Sequence, residues 1–470
     1  MASIFTIGEQ KKRPGVYFSY TKDAGARYPG IPLGNAAVLV KSDFGALGQV
    51  ERLKSYKDAI AAFRDGGTVD VIRQIFLGGA KAVYAVRVGS GGTAAAYSVL
   101  DSAETAVATL STKFPSTRTL TVSIQDSIVN DGTAAVTLYD GTAELERIVF
   151  GNGAADSAAN LIAAVNTKSR YLSAVAEAAS ANAIAEVSQD PFTAGAAVTT
   201  ATQDYANALD ALVQYDWTVA AVDTTDSDVT ALLVQFAQGL EQNGRFALAV
   251  IGCPPDNDIS ANIAAAKSVN SHNSVVVGAG FTDIEGGAVT GAYSAARIAG
   301  IIAATPSNAS VTHKVLADAA DITGTILSSD YESAIDSGLL LLSRSASGEI
   351  WIESGITSLS SPHDNEDGGW KKIKRTMIRF ELMTRLGIAV DALVGQVNND
   401  NDGIATVLQE ANGVIGAMVS ENKLKPGSYV ELSADTPPTD DSAWFNVYAN
   451  DVDSLEKLYF LFSFNYGGIA

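Results

Sequence analysis

The residues able to do chemistry are few in this chain and poorly spaced for it. Three histidines, His272, His313 and His363, lie far apart, with no His-x-x-x-His pair and no mixed Cys/His spacing. Neither a zinc site nor a Ser-His-Asp triad is supported. The single cysteine, Cys253, follows the apolar run Ala247-Leu-Ala-Val-Ile-Gly252 and reads as a small hydrophobe at a strand end. No Gly-x-x-x-x-Gly-Lys-Ser/Thr sequence is present to cradle a nucleotide phosphate. Val276-Val-Gly-Ala-Gly-Phe281 starts like a dinucleotide fingerprint. Its third glycine is misplaced and Gly286-Gly287 continue the loop, so a plain strand end is expected.

Two acidic clusters invite other readings. Asn398-Asn-Asp-Asn-Asp-Gly403 aligns with a calcium loop through Asp400, Asp402 and Gly403, but Asn398 and Gln409 stand at the two ends where acids are needed. A tight turn in which Asp402 or its neighbour caps helix Ile404–Glu421 is expected instead. Asp364, Glu366 and Asp367 could pair for acid–base work, yet they sit in a polar, glycine-rich loop of the kind that is usually solvated. No catalytic residue, metal site or cofactor is assigned. The sharper signal is positive: Lys371-Lys-Ile-Lys-Arg375, Arg379 and Arg385 on a helix Trp370–Leu386. A 3.6-residue period turns Ile373, Met377 and Phe380 inward and predicts that Lys371, Lys374, Arg375, Arg379 and Arg385 lie largely outside. In a chain of net charge −20, such an island suggests an acidic partner surface. A merely solvated helix face is the alternative.

The elements that would position these residues follow from composition and periodicity. At 470 residues the chain exceeds one ordinary core, and about two to four domains are expected. The negative balance excludes a non-specific nucleic-acid footprint. No apolar run reaches the roughly 18–20 residues of a membrane span, and no secretory signal is expected from the basic start Lys11-Lys-Arg13. One cysteine allows no intramolecular disulfide and fits a reducing compartment.

The fold class expected is α/β and multi-domain. Residues 1–30 read as an N-terminal arm. Residues 31–92 and 203–349 alternate strands with helices at a spacing that implies a mostly parallel sheet covered on both faces. Within them, Val50–Arg64 and Val69–Leu77 read as helices, the second ending at Gly78-Gly79. Residues 93–202, rich in Ala, Ser and Thr, read as an inserted, mainly β domain with a hairpin signal at Asp140-Gly141. Residues 350–454 read as an α+β C-terminal domain, and 455–470 as a terminal strand or arm.

That last segment has one strongly apolar face. Leu458, Phe460, Phe462, Phe464 and Tyr466 recur at period two, against Lys457, Tyr459, Leu461, Ser463 and Asn465 on the other side. At the opposite end, Ser3-Ile-Phe-Thr-Ile7 is a short β-prone run. A terminal strand left open is an aggregation hazard unless a sheet accepts it, either the chain's own or a neighbour's.

With these pieces the chain resembles the tail sheath proteins of contractile bacteriophage tails, tailocins and related injection machines. The resemblance rests on Arg13-Pro-Gly-Val-Tyr17, Phe76-Leu-Gly-Gly-Ala-Lys-Ala-Val-Tyr-Ala-Val-Arg-Val88, Ala296-Arg-Ile-Ala-Gly300, Gly355-Ile-Thr-Ser-Leu359, Trp370–Arg379 and Val394-Gly-Gln-Val-Asn398. It covers residues 1–90 and 203–470, with 93–201 as a variable, outward-facing insertion. It implies a virion tail subunit, assembled in a host bacterial cytoplasm into a helical homo-oligomer of stacked rings. It also implies partners in an inner tail tube protein, a baseplate and a tail terminator, with no nucleic acid and no membrane insertion. Strand exchange between subunits would involve Ile4, Phe5 and Ile7 on one arm, with Leu458, Phe460, Phe462 and Phe464 on the other. Lys371, Lys374, Arg375 and Arg379 would face the tube. Contraction would drive the tube through a target envelope. The competing reading is a soluble α/β enzyme using Asp283, Glu285 and the glycine-rich loop; a tube or capsid protein is a third.

Overall fold

A computed structural model of the protein describes residues 31–153 and 156–464, together with the backbone of two short N-terminal strands. Those strands, Ser3–Ile4 (β1) and Tyr17–Phe18 (β2), pair in parallel, Ile4 opposite Phe18.

The body begins with Asn35–Val40 (β3), a run of apolar residues with no polar alternation, as a strand buried on both faces requires. Val50–Leu53 (β4) follows, then Tyr56–Phe63 (α1) and Asp70–Leu77 (α2). The expected helix from Val50 to Arg64 is therefore a short strand plus a shorter helix. Ser55 makes the break, its hydroxyl accepting from the Asp58 amide while the Asp58 carboxylate accepts from the Lys54 amide. Ala82–Arg87 (β5) closes this first section.

The chain then leaves for the insertion. Ala94–Leu100 (β6), Ala106–Pro115 (β7), Leu120–Asp126 (β8), Thr133–Asp140 (β9) and Ala143–Gly151 (β10) precede Ser157–Lys168 (α3). Leu172–Ala176 (β11) and Val187–Pro191 (β12) complete it. The strands form two antiparallel sheets, β10-β9-β8-β12 and β11-β7-β6, closed over Leu110, Leu120, Ile124, Val136 and Leu161. Gly141 takes φ +60° in the β9–β10 turn, as the Asp-Gly signal predicts. Buried Arg87 fastens the insertion to the body. Its guanidinium donates to the carbonyls of Ser42 (2.8 Å) and Pro115 (3.0 Å), and burial pulls its pKa down to about 10. Arg118 adds ion pairs to Asp43, Asp65 and Asp140 at 2.9–3.1 Å.

On return the alternation is regular: Thr202–Leu212 (α4), Val219–Val222 (β13), Ser227–Gln242 (α5), Leu248–Gly252 (β14), Ile259–Val269 (α6) and Ser274–Val277 (β15). Phe281–Asp283 (β16) and Ala288–Val289 (β17) then lead to Ala292–Ala304 (α7). Ala319–Ile322 (β18), Ser328–Ser337 (α8) and Leu339–Leu340 (β19) follow. The main sheet runs β19-β15-β14-β13-β3-β5-β4, parallel except for the edge strand β4. Helix α7 lies backbone-to-backbone on α2: a Cβ at Gly300 would meet the Ile75 carbonyl at 2.1 Å. That contact explains the small residues around Ala296–Gly300.

Leu342–Arg344 (β20) and Ile350–Ile352 (β21) form a hairpin. After it come Ile373–Asp391 (α9), Asn401–Ser420 (α10), Tyr429–Leu432 (β22) and Phe445–Tyr448 (β23), the last two an antiparallel pair. Asp400 caps α10, accepting from the Gly403 amide at 2.9 Å, so the Asn398–Gly403 run serves as a helix start. Helix α9 belongs to two cores at once. Phe380 stacks on Phe246 of the α/β body at 5.3 Å, while Ile378 and Leu382 pack with Val414, Ile415 and Met418 of α10.

Candidate functional site at the root of the C-terminal arm

Nothing among the described residues gathers three or more His, Cys, Asp or Glu side chains in a way that could hold a metal ion. Where the strand order of the main sheet reverses, between β13 and β3, an open α/β sheet would ordinarily offer a ligand crevice. Here Asp223 fills that position and is consumed internally. It accepts from the Tyr205 hydroxyl at 2.6 Å, from the Lys41 amide at 3.0 Å and from the Thr68 hydroxyl. Asp283 is likewise engaged, accepting from the amides of Glu285 (3.0 Å) and Gly287 (2.7 Å) as a turn former. Burial pushes the Cys253 thiol up to about 12, far from a reactive thiolate.

The basic residues of α9 are differently placed from the expected outward face, and this is a correction. Lys372, Arg375 and Arg379 stand three and four residues apart on one stripe. That stripe meets the acidic segment leaving β23. Arg375 forks onto Asp451 at 2.7 and 2.8 Å, and Arg379 reaches the same carboxylate at 2.9 Å. Arg379 also forks onto Asp367 at 2.8 and 2.9 Å. Lys372 pairs with Glu456 at 2.8 Å and Asp453 at 3.2 Å. Thr312 and Ser454 donate to Glu456 as well, at 3.0 and 2.8 Å. Burial alone would push Asp451 up, but the guanidinium hydrogen bonds outweigh it and hold its carboxyl below the usual range. Glu456 is lowered in the same way, burial being outweighed by the Lys372 ammonium.

The other members of the island also turn inward. Arg385 is buried, forking onto Glu381 and onto Glu421, and Lys423 joins the same network at 2.8 Å from Glu381. Glu381, which interrupts the basic run in sequence, is its internal counter-charge. Lys374 is buried, and desolvation pulls its pKa down. Lys371 stays partly exposed and donates to the Asp336 carbonyl at 3.1 Å. A 3.6-residue period could not reveal most of this: Glu381 is local to Arg385, but the acids at 367, 421, 451, 453 and 456 lie outside a helical window.

A stack of rings joins this anchor to the α/β body. The Arg379 guanidinium lies over Trp370 at 4.7 Å, and His272 lies against the same ring at 4.4 Å. His272 is bracketed by Glu241 of α5 at 2.9 Å and Glu366 of the 361–369 loop at 2.6 Å. Burial would lower its pKa, but these two carboxylates outweigh it and raise it. The loop acids are thus structural: Glu366 grips His272, and Asp367 grips Arg379.

Beyond Glu456 the arm has no strand partner among the described residues. Residues 455–464 form no strand ladder, and Leu458, Phe460, Phe462 and Phe464 are 64–91 % exposed. Successive rings Phe460–Phe462 and Phe462–Phe464 stack at 6.4 and 6.2 Å, the repeat of an extended chain. The period-two face expected from sequence is therefore present, while the pairing is not. At the other terminus Ile4 lies in β1; Phe5, Ile7 and Tyr466 fall outside the described residues. Sequence reasoning missed Asp451, Asp453 and Glu456, and named His272 and Trp370 without giving them a place in this site. A detectable signal for the first three was acid recurring immediately before an aromatic alternation.

Comparison with known proteins adds independent findings. A family model for the phage tail sheath protein central domain matches residues 198–358. A sequence search of curated proteins gives no match. Among solved structures, the sheath tail protein of Desulfitobacterium hafniense superposes with TM-score 0.72 at 18 % identity, covering 94 % of this chain and 98 % of that one. The sheath tail protein Lin1278 of Listeria innocua gives 0.68 at 16 % identity, with 90 % and 96 % covered. The helical sheath of the anti-feeding prophage, in its contracted state, gives 0.57 at 12 %, with 97 % and 99 % covered. The chain therefore resembles tail sheath proteins in sequence over its central section and in fold over nearly its whole length.

Proposed function

We propose that this chain is a structural subunit of a contractile tail sheath, polymerising helically around an inner tube. Sheath-type similarity over residues 198–358 and in overall fold supports the class. The observation that carries the assembly reading is the C-terminal arm: an extended, aromatic segment, anchored at its root and without a strand partner among the described residues. Burying an exposed Phe side chain is worth roughly 1.5–3 kcal/mol, so three such rings form a strong unsatisfied demand. A neighbouring subunit's sheet meets it through backbone hydrogen bonds and pockets for alternate side chains.

In this reading the ion-pair anchor fixes where the arm departs, and the arm acts as a tether between subunits. Contraction is then a rigid-body rearrangement of tethered bodies, driven by better packing in the shortened state and delayed by a barrier. The tube-facing role of Lys371, Lys374, Arg375 and Arg379 becomes conditional. While Asp451 holds Arg375 and Arg379 and Lys374 is buried, Lys371 carries the accessible charge. A baseplate and a terminator would bound the polymer.

Electron microscopy of the purified chain tests the proposal. Tubular polymers or stacked rings are expected; discrete monomeric particles at all concentrations would refute it and favour a soluble α/β protein.

A further inference from the structure

Two cations stand together at the carboxyl ends of neighbouring strands in the main sheet. Register sets Arg87, the last residue of β5, opposite Val40, the last of β3, so Lys41 leaves the sheet beside it. Arg87 is 1 % exposed, yet its guanidinium donates only to carbonyls: Nε to Ser42 at 2.8 Å, Nη1 to Gly45 at 2.5 Å and to Pro115 at 3.0 Å. Nη2 donates to nothing among the described residues. Lys41 is held by its backbone, the amide donating to Thr68 at 2.8 Å and Asp223 at 3.0 Å, while its ammonium lies 5.8 Å from the Tyr205 ring. The bordering acids are engaged elsewhere: Asp43 accepts from Arg118 at 3.1 Å, and Asp223 from the Tyr205 hydroxyl at 2.6 Å. Neither pairs with Arg87 or with the Lys41 ammonium.

Both cations line a cavity of about 240 Å³, whose wall on the insertion's side includes Pro115, Ser116, Thr117 and Thr200. A desolvated guanidinium that meets only neutral acceptors is a charge left uncompensated, and its lowered pKa reports that burial. The location is also the one where open α/β sheets take ligands, outside the carboxyl ends of the strands and at a domain joint. Asp223 fills the point of reversal between β13 and β3; this cavity lies one strand further, between β3 and β5.

We propose that the cavity is an oxyanion site, taking a phosphate or carboxylate group between the Lys41 ammonium and Nη2 of Arg87. The Thr117 and Thr200 hydroxyls line the same space and supply further donors. A ligand there touches body and insertion at once, so its binding fastens the joint. The inference is independent of the sheath reading.

Titration of the full-length chain with inorganic phosphate and, separately, with acetate tests this, each against sodium chloride at matched ionic strength. A saturable rise in the thermal midpoint, with a heat of binding, is expected from one or both, and the anion that saturates first identifies the group. No rise beyond that in chloride, or a rise that grows without saturating as salt exclusion produces, overturns the proposal. Lys41→Met keeps the backbone bonds of residue 41 and should weaken the titration about tenfold, the worth of one charge-assisted hydrogen bond. Lys267→Met, on an exposed position of α6, should leave it unchanged. A Lys41→Met chain that titrates like the unmutated one overturns the site. A second reading needs no variant: amine labelling followed by mass spectrometry should show Lys41 shielded by the saturating anion and Lys267 labelled as before. Equal labelling of Lys41 with and without the anion overturns the assignment.

Discussion

In the central sheet Val38, Leu39, Val219 and Val250 have no exposure at all, while Phe460, Phe462 and Phe464, at least as apolar, stand 74–91 % open to solvent. Backbone groups divide the same way: β3, β13, β14 and β15 have strands on both sides, and residues 455–464 have none among the described residues. Polar groups in the body are satisfied just as locally, with Asp223 taken by Tyr205, Thr68 and Lys41. The two regions differ in where their free energy is realised. The described body completes its contacts within one chain, and under the proposed function the arm completes its own in an assembly. Between them lies the ladder of Lys372, Arg375 and Arg379, which belongs to the folded body and points the arm outward.

The contrast breaks if the arm contributes to monomer stability. Removing residues 457–470 should abolish polymers in the microscope while leaving the thermal midpoint of the monomer unchanged. A large drop in that midpoint would show that the arm belongs to the body. The converse change, Phe380→Ala at the joint of two cores, should cost about 3–5 kcal/mol in urea unfolding, the range for deleting a buried aromatic.

Asp451→Ala probes the anchor between the regions. It leaves Arg375 and Arg379 facing each other without their shared carboxylate. The expected loss is about 2–3 kcal/mol, below the ~3–5 of a fully buried pair because both guanidiniums keep some access to water. Polymers, if still formed, should be irregular, since the arm would leave at variable angles.

The pH response sharpens the comparison further. His272 has a raised pKa, so its stabilising charge is fully present below the unfolded value of about 6.5 and is lost as pH rises through the folded pKa. Asp451 and Glu456 have lowered values, so their contribution is present above about 4 and is lost as pH falls through their folded pKa values. Urea midpoints should therefore peak between these limits. His272→Gln should flatten the alkaline limb alone; an unchanged limb would remove His272 from the joint. The smallest effect concerns the partly exposed Lys371. Lys371→Glu should weaken loading onto tubes at low salt and leave unfolding within about 0.5 kcal/mol. Loading that ignores both salt and charge reversal would end the tube-facing assignment.

Much of the fold was legible because its signals are local. Continuous apolar runs such as Ala36–Val40 and Ser274–Val277 became buried parallel strands, and Asp140-Gly141 became a hairpin turn. Val50–Leu53 was misread because an edge strand of four residues is too short to separate from the helix behind it. The basic helix was legible as a helix and misjudged as a surface. Its period shows which residues share a face and not what covers that face.

What the sequence determined by itself was periodicity, caps and turns: the helices, the strands, and the aromatic face of the arm. Tertiary structure alone decided that Arg375 and Arg379 would be spent on Asp451, that Lys423 and Glu421 would join the local Glu381–Arg385 pair, and that Asn412 would cap the outer edge of β22. The physical reason is range. Propensity and period act over a few residues, whereas a charge is neutralised and a backbone edge is sealed by whatever distant segment packs against it.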